Sequence, residues 1–238
     1  MSFKDKRLGL IVNPVAGIGG RVGLKGSDGA EIQKRAFELG AVPRSLNRAV
    51  QALERIPSMS GLEVVTYPGE MGEEAARACG FEPIVIGSIT PGETTSQDTR
   101  DAAREMVRQG VDLLLFAGGD GTARDIYNAI ADVDRASADV DRASGDGPPV
   151  LGIPAGVKIH SAVFATNPLS AGDLAVRYLQ GDVSGLREAE VMDIDEEALR
   201  RGLVSARLYG YLRIPFHRRL VQGLKTPSSP GEEASQHA

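Results

Sequence analysis

The sequence predicts an α/β protein whose first domain, residues 1–168, contains a doubly wound parallel sheet. Short runs that are apolar throughout alternate with segments whose apolar residues recur at helical spacing. This alternation is typical of parallel strands that are covered by helices on both faces. Beyond Pro168 the pattern changes to polar–apolar alternation, which predicts a smaller β-rich second domain.

The strands and helices of the first domain follow from these runs in chain order. Strands are expected at residues 7–12, 62–68, 82–87, 111–117 and 148–154. A helix is expected over residues 45–56 with Ser45 as its cap, and another over residues 97–109 with Thr95 or Ser96 as its cap. A third helix is expected after the fourth strand. Its apolar face consists of Ala123, Ile126, Tyr127, Ile130 and Ala131.

The second domain is predicted at residues 169–221 and is expected to be truncated. A short helix with Leu174 and Leu179 on one side precedes the segments LREAEVMDID and LVSARLYGYLRIP, which we interpret as antiparallel strands. So few residues form an independent core with difficulty. Residues 222–238 are polar and rich in Pro, Ser and Glu, which predicts a disordered tail.

A tandem repeat lies between the third helix and the fifth strand. The segment ADVDRAS at residues 131–137 recurs unchanged at residues 138–144. It forms either a surface connection or two additional helical turns, since seven residues nearly preserve helical phase. In both cases we expect no chemistry from it.

Composition excludes several classes of protein. The formal net charge of −5 is unfavourable for nucleic-acid binding, and no apolar run is long enough to span a membrane. The N-terminal apolar segment is too short for a signal peptide. The single cysteine, Cys79, excludes an internal disulfide and is expected to be a small core residue. We therefore expect a cytoplasmic protein without a nucleic-acid or membrane partner.

The segment GGDGT at residues 118–122 follows the fourth strand and precedes a helix. In an open parallel sheet, ligands bind beyond the carboxyl ends of the strands, where this loop lies. Glycines allow backbone N–H groups to approach a phosphate, and a helix N-terminus favours an anion. Asp120 suits a general base for a hydroxyl, a magnesium ligand, or both.

A structural interpretation of the same segment is also open. Thr122 and Asp125 have the spacing of a capping box, and glycines are common in tight corners. The two interpretations are compatible, because Thr122 and Asp125 could cap the helix while residues 118–121 receive a nucleotide.

A second glycine-rich loop, NPVAGIGGRVGLKGSDG, follows the first strand at residues 13–29. It is neither a Walker A loop nor a G-x-G-x-x-G fingerprint. Its backbone N–H groups, with Arg21 and Lys25, are candidate partners for phosphate. A flexible glycine loop without a ligand explains the same composition.

A third strand–turn segment, GIPAGVKIHSAVFATNP, occupies residues 152–168. A helix start is expected after the glycine-containing turn, and Lys158 and His160 bracket that start, where a phosphate or ribose could bind. A histidine alone is more often a surface or core-edge residue. The position of His160 beyond a third strand on the same side of the sheet favours a binding role.

These three segments, in this order, resemble the NAD kinase and diacylglycerol kinase-like superfamily, and within it most of all the ATP-NAD/AcoX kinase family. The likeness covers residues 7–168. It implies an NAD kinase-like fold and ATP- and magnesium-dependent phosphorylation of the 2′-hydroxyl of the adenosine ribose of NAD. A glycine cradle, one acid and several cations suit phosphoryl transfer, which depends chiefly on positioning and charge.

The resemblance also implies roles for individual residues. Asp120 would be the catalytic base or the acid that organises the metal, and Asn13 and Pro14 would shape the neighbouring loop. The residues that would hold phosphates or ribose are Gly118, Gly119, Gly121 and Thr122. Our candidates for the positive charge around the phosphates are Arg21, Lys25, Arg124 and Lys158.

The second domain departs from the family, because NAD kinases have a larger β-rich C-terminal domain. An incomplete β domain leads us to expect a homo-oligomer. Two further functions stay open at this point: a kinase of another small-molecule or lipid hydroxyl, and a nucleotide-binding regulatory protein without turnover.

Overall fold

Five parallel strands form the central sheet of the protein. The computed structural model describes residues 5–18, 30–57, 60–137, 147–156, 159–194 and 206–221. The strands are β1 (Lys6–Val12), β2 (Leu62–Thr66), β3 (Ile84–Val85), β4 (Leu113–Gly118) and β5 (Val150–Pro154). Their order in the sheet is β3-β2-β1-β4-β5, and every neighbouring pair is parallel. The α/β class and all five predicted strands are confirmed.

Helices connect these strands. They are α1 (Ala30–Glu38), α2 (Ser45–Leu53), α3 (Glu73–Ala78), α4 (Ser96–Arg108), α5 (Asp120–Ser137) and α6 (Pro168–Leu179). A short 3₁₀ turn at Gly69–Met71 precedes α3. None of the helices in the described part of the chain has the length and apolar character that crossing a membrane requires.

Strand β4, which lies between β1 and β5, aligns the loops at one edge of the sheet. Its sequence LLLFAG is buried at every position, as expected of a strand covered on both faces. In the register, Ala117 of β4 lies opposite Val12 of β1, and Gly118 lies opposite Pro154 of β5. The segments that follow β1, β4 and β5 therefore leave the sheet side by side.

The helix caps agree only in part with the sequence predictions. Thr95 caps α4 and forms a capping box with Asp98, as predicted. The predicted cap at Ser45 is wrong, because α2 already includes Ser45 and the residue before it is Arg44. The Ser45 hydroxyl is buried without a hydrogen-bond partner in the described structure.

The long helix α5 packs on the sheet with its predicted face. Its fully or nearly fully buried apolar residues are Ala123, Ile126, Ala129 and Ile130. Tyr127 is partly buried against the same cluster, and its ring lies against Gly210, where any side chain would collide with it. The first copy of the repeat, residues 131–137, forms the end of α5, and the second copy lies outside the described residues.

Two antiparallel strands follow α6, as the alternating pattern predicted. They are β6 (Leu186–Ile194) and β7 (Ala206–Pro215), with a register shift at Val191/Met192. Their inward residues Val191 and Ile214 belong to the same hydrophobic cluster as Leu114 of the central sheet. The division of the chain at residue 168 stays a prediction, and the predicted tail lies outside the described residues.

Cys79 lies at the end of α3 and is partly rather than fully buried. It packs against the main core, and its thiol lies 3.6 Å from the backbone carbonyl of Val50. Burial is the main cause that raises the pKa of the Cys79 thiol. The cysteine therefore behaves as a small packing residue, close to the prediction.

Gly172 allows α6 to approach α2 closely, and Gly172→Ala is expected to destabilise the protein. A Cβ there would collide with the Ala52 carbonyl and lie 2.7 Å from Cβ of Arg55. We expect a loss of about 1–3 kcal/mol in the free energy of unfolding, measured by urea denaturation, despite the higher helix propensity of alanine. Gly185→Ala is the matched control, because nothing lies within 4 Å of its Cβ position. Equal stability of the two variants would contradict the close-packing role.

Candidate active site

The carboxylate of Asp120 is fixed by backbone donors at the carboxyl edge of the sheet. Asp120 is the first residue of α5, directly after the turn that ends β4. Its Oδ2 accepts a hydrogen bond from the backbone N–H of His160 at 2.8 Å, and its Oδ1 accepts one from Ser161 at 2.9 Å. Each carboxylate oxygen can accept further hydrogen bonds or bind a metal. Asp120 is thus both anchored and available for chemistry.

The three glycine-bearing segments predicted from the sequence meet at this point. Gly118 accepts hydrogen bonds at its carbonyl from the N–H groups of Ala155 (2.9 Å) and Gly156 (3.2 Å). Gly17 has φ +74, and a Cβ on it would lie 2.6 Å from the Ala155 carbonyl oxygen. A Cβ on Gly156 would lie 3.2 Å from Cα of Gly119. The backbones of neighbouring loops lie so close together here that a Cβ would collide with them, so these positions require glycine.

Asn13 joins the first loop to the start of α5. Its side-chain amide donates to the Thr122 hydroxyl at 2.9 Å, and its Oδ1 accepts from the backbone N–H of Val15 at 3.1 Å. Its backbone N–H donates to the carbonyl of Ala117. Pro14 lies half-buried in the turn that follows. Asn13 therefore fixes the start of the first loop, and the roles implied for Asn13 and Pro14 beside a nucleotide stay predictions.

The capping box predicted at Thr122 and Asp125 is wrong. Since α5 begins at Asp120, Thr122 lies inside the first helical turn. Its side chain is 3% exposed and meets Asn13 rather than the loop surface. Asp125 forms an ion pair with Arg100 at 2.9 Å, which links α5 to α4.

Arg124 is engaged away from the loops. Its guanidinium forms an ion pair with Asp193 of β6 at 2.7 Å and lies over the ring of Tyr209 of β7. Both partners of the ion pair are largely shielded, with side-chain exposures of 19% and 13%. Arg124 therefore holds the β6–β7 pair against α5, and binding a phosphate would require it to leave this contact.

The remaining cationic candidates divide into two groups. Arg21, Lys25 and Lys158 lie outside the described residues. His160 is exposed, and its backbone N–H is the group that reaches Asp120. The helix start expected at His160 is wrong, because the next helix after β5 in the described chain is α6, which begins at Pro168.

Sequence reasoning missed Ser161. Its side chain is 1% exposed, its hydroxyl donates to the carbonyl of Met192 at 2.8 Å, and the N–H of Met192 donates back to that hydroxyl at 2.9 Å. Ser161 therefore connects the loop that anchors Asp120 to β6. No local pattern indicates this contact, because the partners lie 31 residues apart.

Within the described ranges, no group of three or more His, Cys, Asp or Glu side chains could hold a metal ion. Magnesium in phosphoryl-transfer sites is commonly held by one or two carboxylates together with substrate phosphates. A single anchored carboxylate at a phosphate-binding edge fits that mode. Asp120 is the described residue that would supply it.

A family model, described as the ATP-NAD kinase N-terminal domain, matches residues 8–183. The chain belongs to the ATP-NAD kinase family. The matched range includes the loops after β1, β4 and β5 as well as α6. The resemblance to the NAD kinase superfamily is thereby confirmed, and membership of the AcoX branch stays a prediction.

The chain is also similar to one curated protein and to one solved structure. The tetraacyldisaccharide 4′-kinase of Allorhizobium ampelinum is 30% identical over 93 residues, which cover 39% of this chain and 24% of that protein. The crystal structure of a diacylglycerol kinase from Bacillus anthracis str. Sterne is 17% identical, with a TM-score of 0.37, over 82% of this chain and 48% of that one. This chain spans about a quarter of the first relative and less than half of the second.

Ser161→Ala is expected to weaken the link between the Asp120 loop and β6. The variant removes the hydroxyl that satisfies both the N–H and the carbonyl of Met192. We expect a loss of about 1–3 kcal/mol in the free energy of unfolding, measured by urea denaturation. The exposed residue Ser96 provides the control variant Ser96→Ala. A stability loss no larger than that of the control would show that the Ser161–Met192 contact is dispensable.

Proposed function

We propose that the protein is a phosphotransferase that moves the γ-phosphoryl group of ATP to the 2′-hydroxyl of the adenosine ribose of NAD, with magnesium as the metal. The supporting observation is the anchored carboxylate of Asp120 at the edge where three glycine-bearing loops meet. Membership of the ATP-NAD kinase family supports the donor and the acceptor.

Asp120 has two possible tasks at this position. It can accept the proton of the acceptor hydroxyl at a remaining lone pair, or it can hold magnesium beside the phosphates of the donor. The backbone donors from His160 and Ser161 keep the carboxylate from rotating in either case. Such fixed positioning is the main contribution that a protein makes to phosphoryl transfer.

The charge of the phosphates would be met mainly by the backbone and the loop cations. The N-terminus of α5, an 18-residue helix, opens at Gly119 and Asp120 and favours an anion. Arg124 is committed to Asp193, so we assign this task to Arg21, Lys25 and Lys158 rather than to Arg124. His160 would contact a phosphate or the ribose at the rim.

Asp120→Asn is expected to abolish NADP formation from NAD, ATP and magnesium. Loss of a positioned acid or base typically costs about 10²–10⁴-fold in rate. The amide of Asn also places an N–H group opposite one of the two backbone N–H donors, which can alter the loop. Nucleotide affinity and melting temperature are therefore measured together with the reaction rate. The matched control is Asp173→Asn, which replaces a carboxylate of a surface ion pair with Arg55.

The outcomes separate the candidate functions. A folded wild-type protein that binds ATP or NAD without turnover would contradict the kinase proposal and support a regulatory role. Phosphorylation of another alcohol without phosphorylation of NAD would keep the kinase and change the acceptor. A lower kcat of Asp120→Asn at unchanged nucleotide affinity would assign Asp120 to the chemical step.

A further inference from the structure

An exposed apolar patch lies at the C-terminal end of α1. Phe37, Leu39 and Val42 are 47%, 51% and 67% exposed, and Val42 is the most exposed large apolar side chain among the described residues. Single exposed apolar residues are ordinary, but a group of them at the end of one helix and in the turn that follows indicates an interaction surface.

The local fold does not explain why these three side chains are apolar. The chain leaves α1 through Gly40 at φ +81, with hydrogen bonds from Gly40 N–H to the Phe37 carbonyl and from Ala41 N–H to the Ala36 carbonyl. This is the Schellman pattern, which is completed by an apolar contact across the turn. Ala36 and Ala41 supply that contact, since both are buried in one cluster with Ile18. The larger residues therefore have no packing role in the turn.

Cations flank the apolar residues. Lys34 and Arg35 precede them and Arg44 follows them, and all three are exposed. Glu38 is the one acid within residues 34–44, although the whole chain carries a formal net charge of −5. None of the three cations pairs with a carboxylate of the described chain. A locally positive, partly apolar surface thus stands out on an acidic protein.

We propose that this surface, named here the α1 patch and formed by Phe37, Leu39 and Val42 with Lys34, Arg35 and Arg44, docks on an anionic lipid surface. Apolar side chains enter the boundary between headgroups and acyl chains, and nearby cations are attracted to lipid phosphates. Such binding is peripheral and needs no spanning helix. The sequence led us to expect no membrane partner, because no run can span a membrane and no segment marks a lipid surface. The proposal departs from that expectation on the exposure of side chains in the folded chain.

A second copy of the chain is the less favourable occupant of the α1 patch. In a two-fold contact each surface meets itself, so Lys34, Arg35 and Arg44 would face the same three cations. An anionic lipid surface instead complements them. The buried side of the turn packs next to Val15 and Ile18, which follow Asn13 in the chain, so docking would place the candidate site close to the lipid. The proposal does not depend on which hydroxyl the site phosphorylates.

Co-sedimentation of the full chain with vesicles tests the proposal. Vesicles of phosphatidylcholine mixed with phosphatidylglycerol are compared with vesicles of phosphatidylcholine alone, at low and high salt. We expect binding to the anionic vesicles only, with an affinity that falls as salt screens the cations. The rest of this acidic chain is repelled by such vesicles, so binding must come from a local surface.

Two variants and one control locate the binding surface. The triple variant Phe37→Ser/Leu39→Ser/Val42→Ser is expected to weaken binding about tenfold or more, because each side chain loses apolar burial in the bilayer. The triple variant Lys34→Gln/Arg35→Gln/Arg44→Gln is expected to remove the salt-sensitive part of the affinity for anionic vesicles. The control Leu169→Ser/Leu208→Ser/Tyr211→Ser changes apolar residues of 50%, 43% and 50% exposure on α6 and β7 and is expected to bind as the wild type does.

Two results would overturn the proposal. They are absence of wild-type binding to anionic vesicles and an equal loss of binding in the control variant. If the wild type binds no lipid and the apolar variant differs from it in mass in solution, the α1 patch is a contact between copies. Circular-dichroism melting confirms that each variant remains folded.

Discussion

The candidate site depends on the position of β4 between β1 and β5 in the parallel sheet. Strand β4 is buried along its whole length between β1 and β5. Its backbone hydrogen bonds therefore fix the register of both neighbouring strands. The register then brings the residues after Val12, Gly118 and Pro154 to one edge. The loops after β1 and β4, about a hundred residues apart in sequence, thereby become neighbours of each other and of the loop after β5, and hydrogen bonds from Asn13 to Thr122 and from Ala155 to Gly118 then join them. The glycines in them serve to make that proximity sterically possible.

At this edge the requirement for a carboxylate is structural as well as chemical. Two backbone donors, the N–H groups of His160 and Ser161, meet one side chain, and each takes a separate oxygen of Asp120. An asparagine has a single oxygen and would present an amide donor to the second N–H. A loss of activity at position 120 can therefore arise from altered loop geometry or from missing chemistry. Nucleotide affinity and catalytic rate, measured separately, distinguish these causes.

The sequence was sufficient to predict those features that depend on residues adjacent in the chain. Continuous apolar runs identified all five parallel strands, and a glycine-rich turn around an aspartate identified the loop at Asp120. The failures concern partners that lie far apart in the chain. Thr122 was interpreted as a cap because its real partner, Asn13, is 109 residues away, and Arg124 was interpreted as a phosphate ligand because nothing near it reveals Asp193. The spacing of residues along the chain predicts only local hydrogen-bond partners. The tertiary packing brings in the distant partners that Thr122 and Arg124 contact in the fold.

The β6–β7 pair contributes to the site more than its place late in the chain suggests. Met192 holds Ser161, and the carbonyl of Glu190 accepts the N–H of Ala162. Asp193 meanwhile holds Arg124 in the first turns of α5. The strand β6 thus supports both sides of the Asp120 contact, the loop that donates to the carboxylate and the helix that carries it. The family match ends at residue 183, before β6 begins at Leu186. The N–H groups that hold the carboxylate lie within the matched range, but β6, which supports their loop, lies outside it, so substitutions in β6 can alter the site without changing any of its loops.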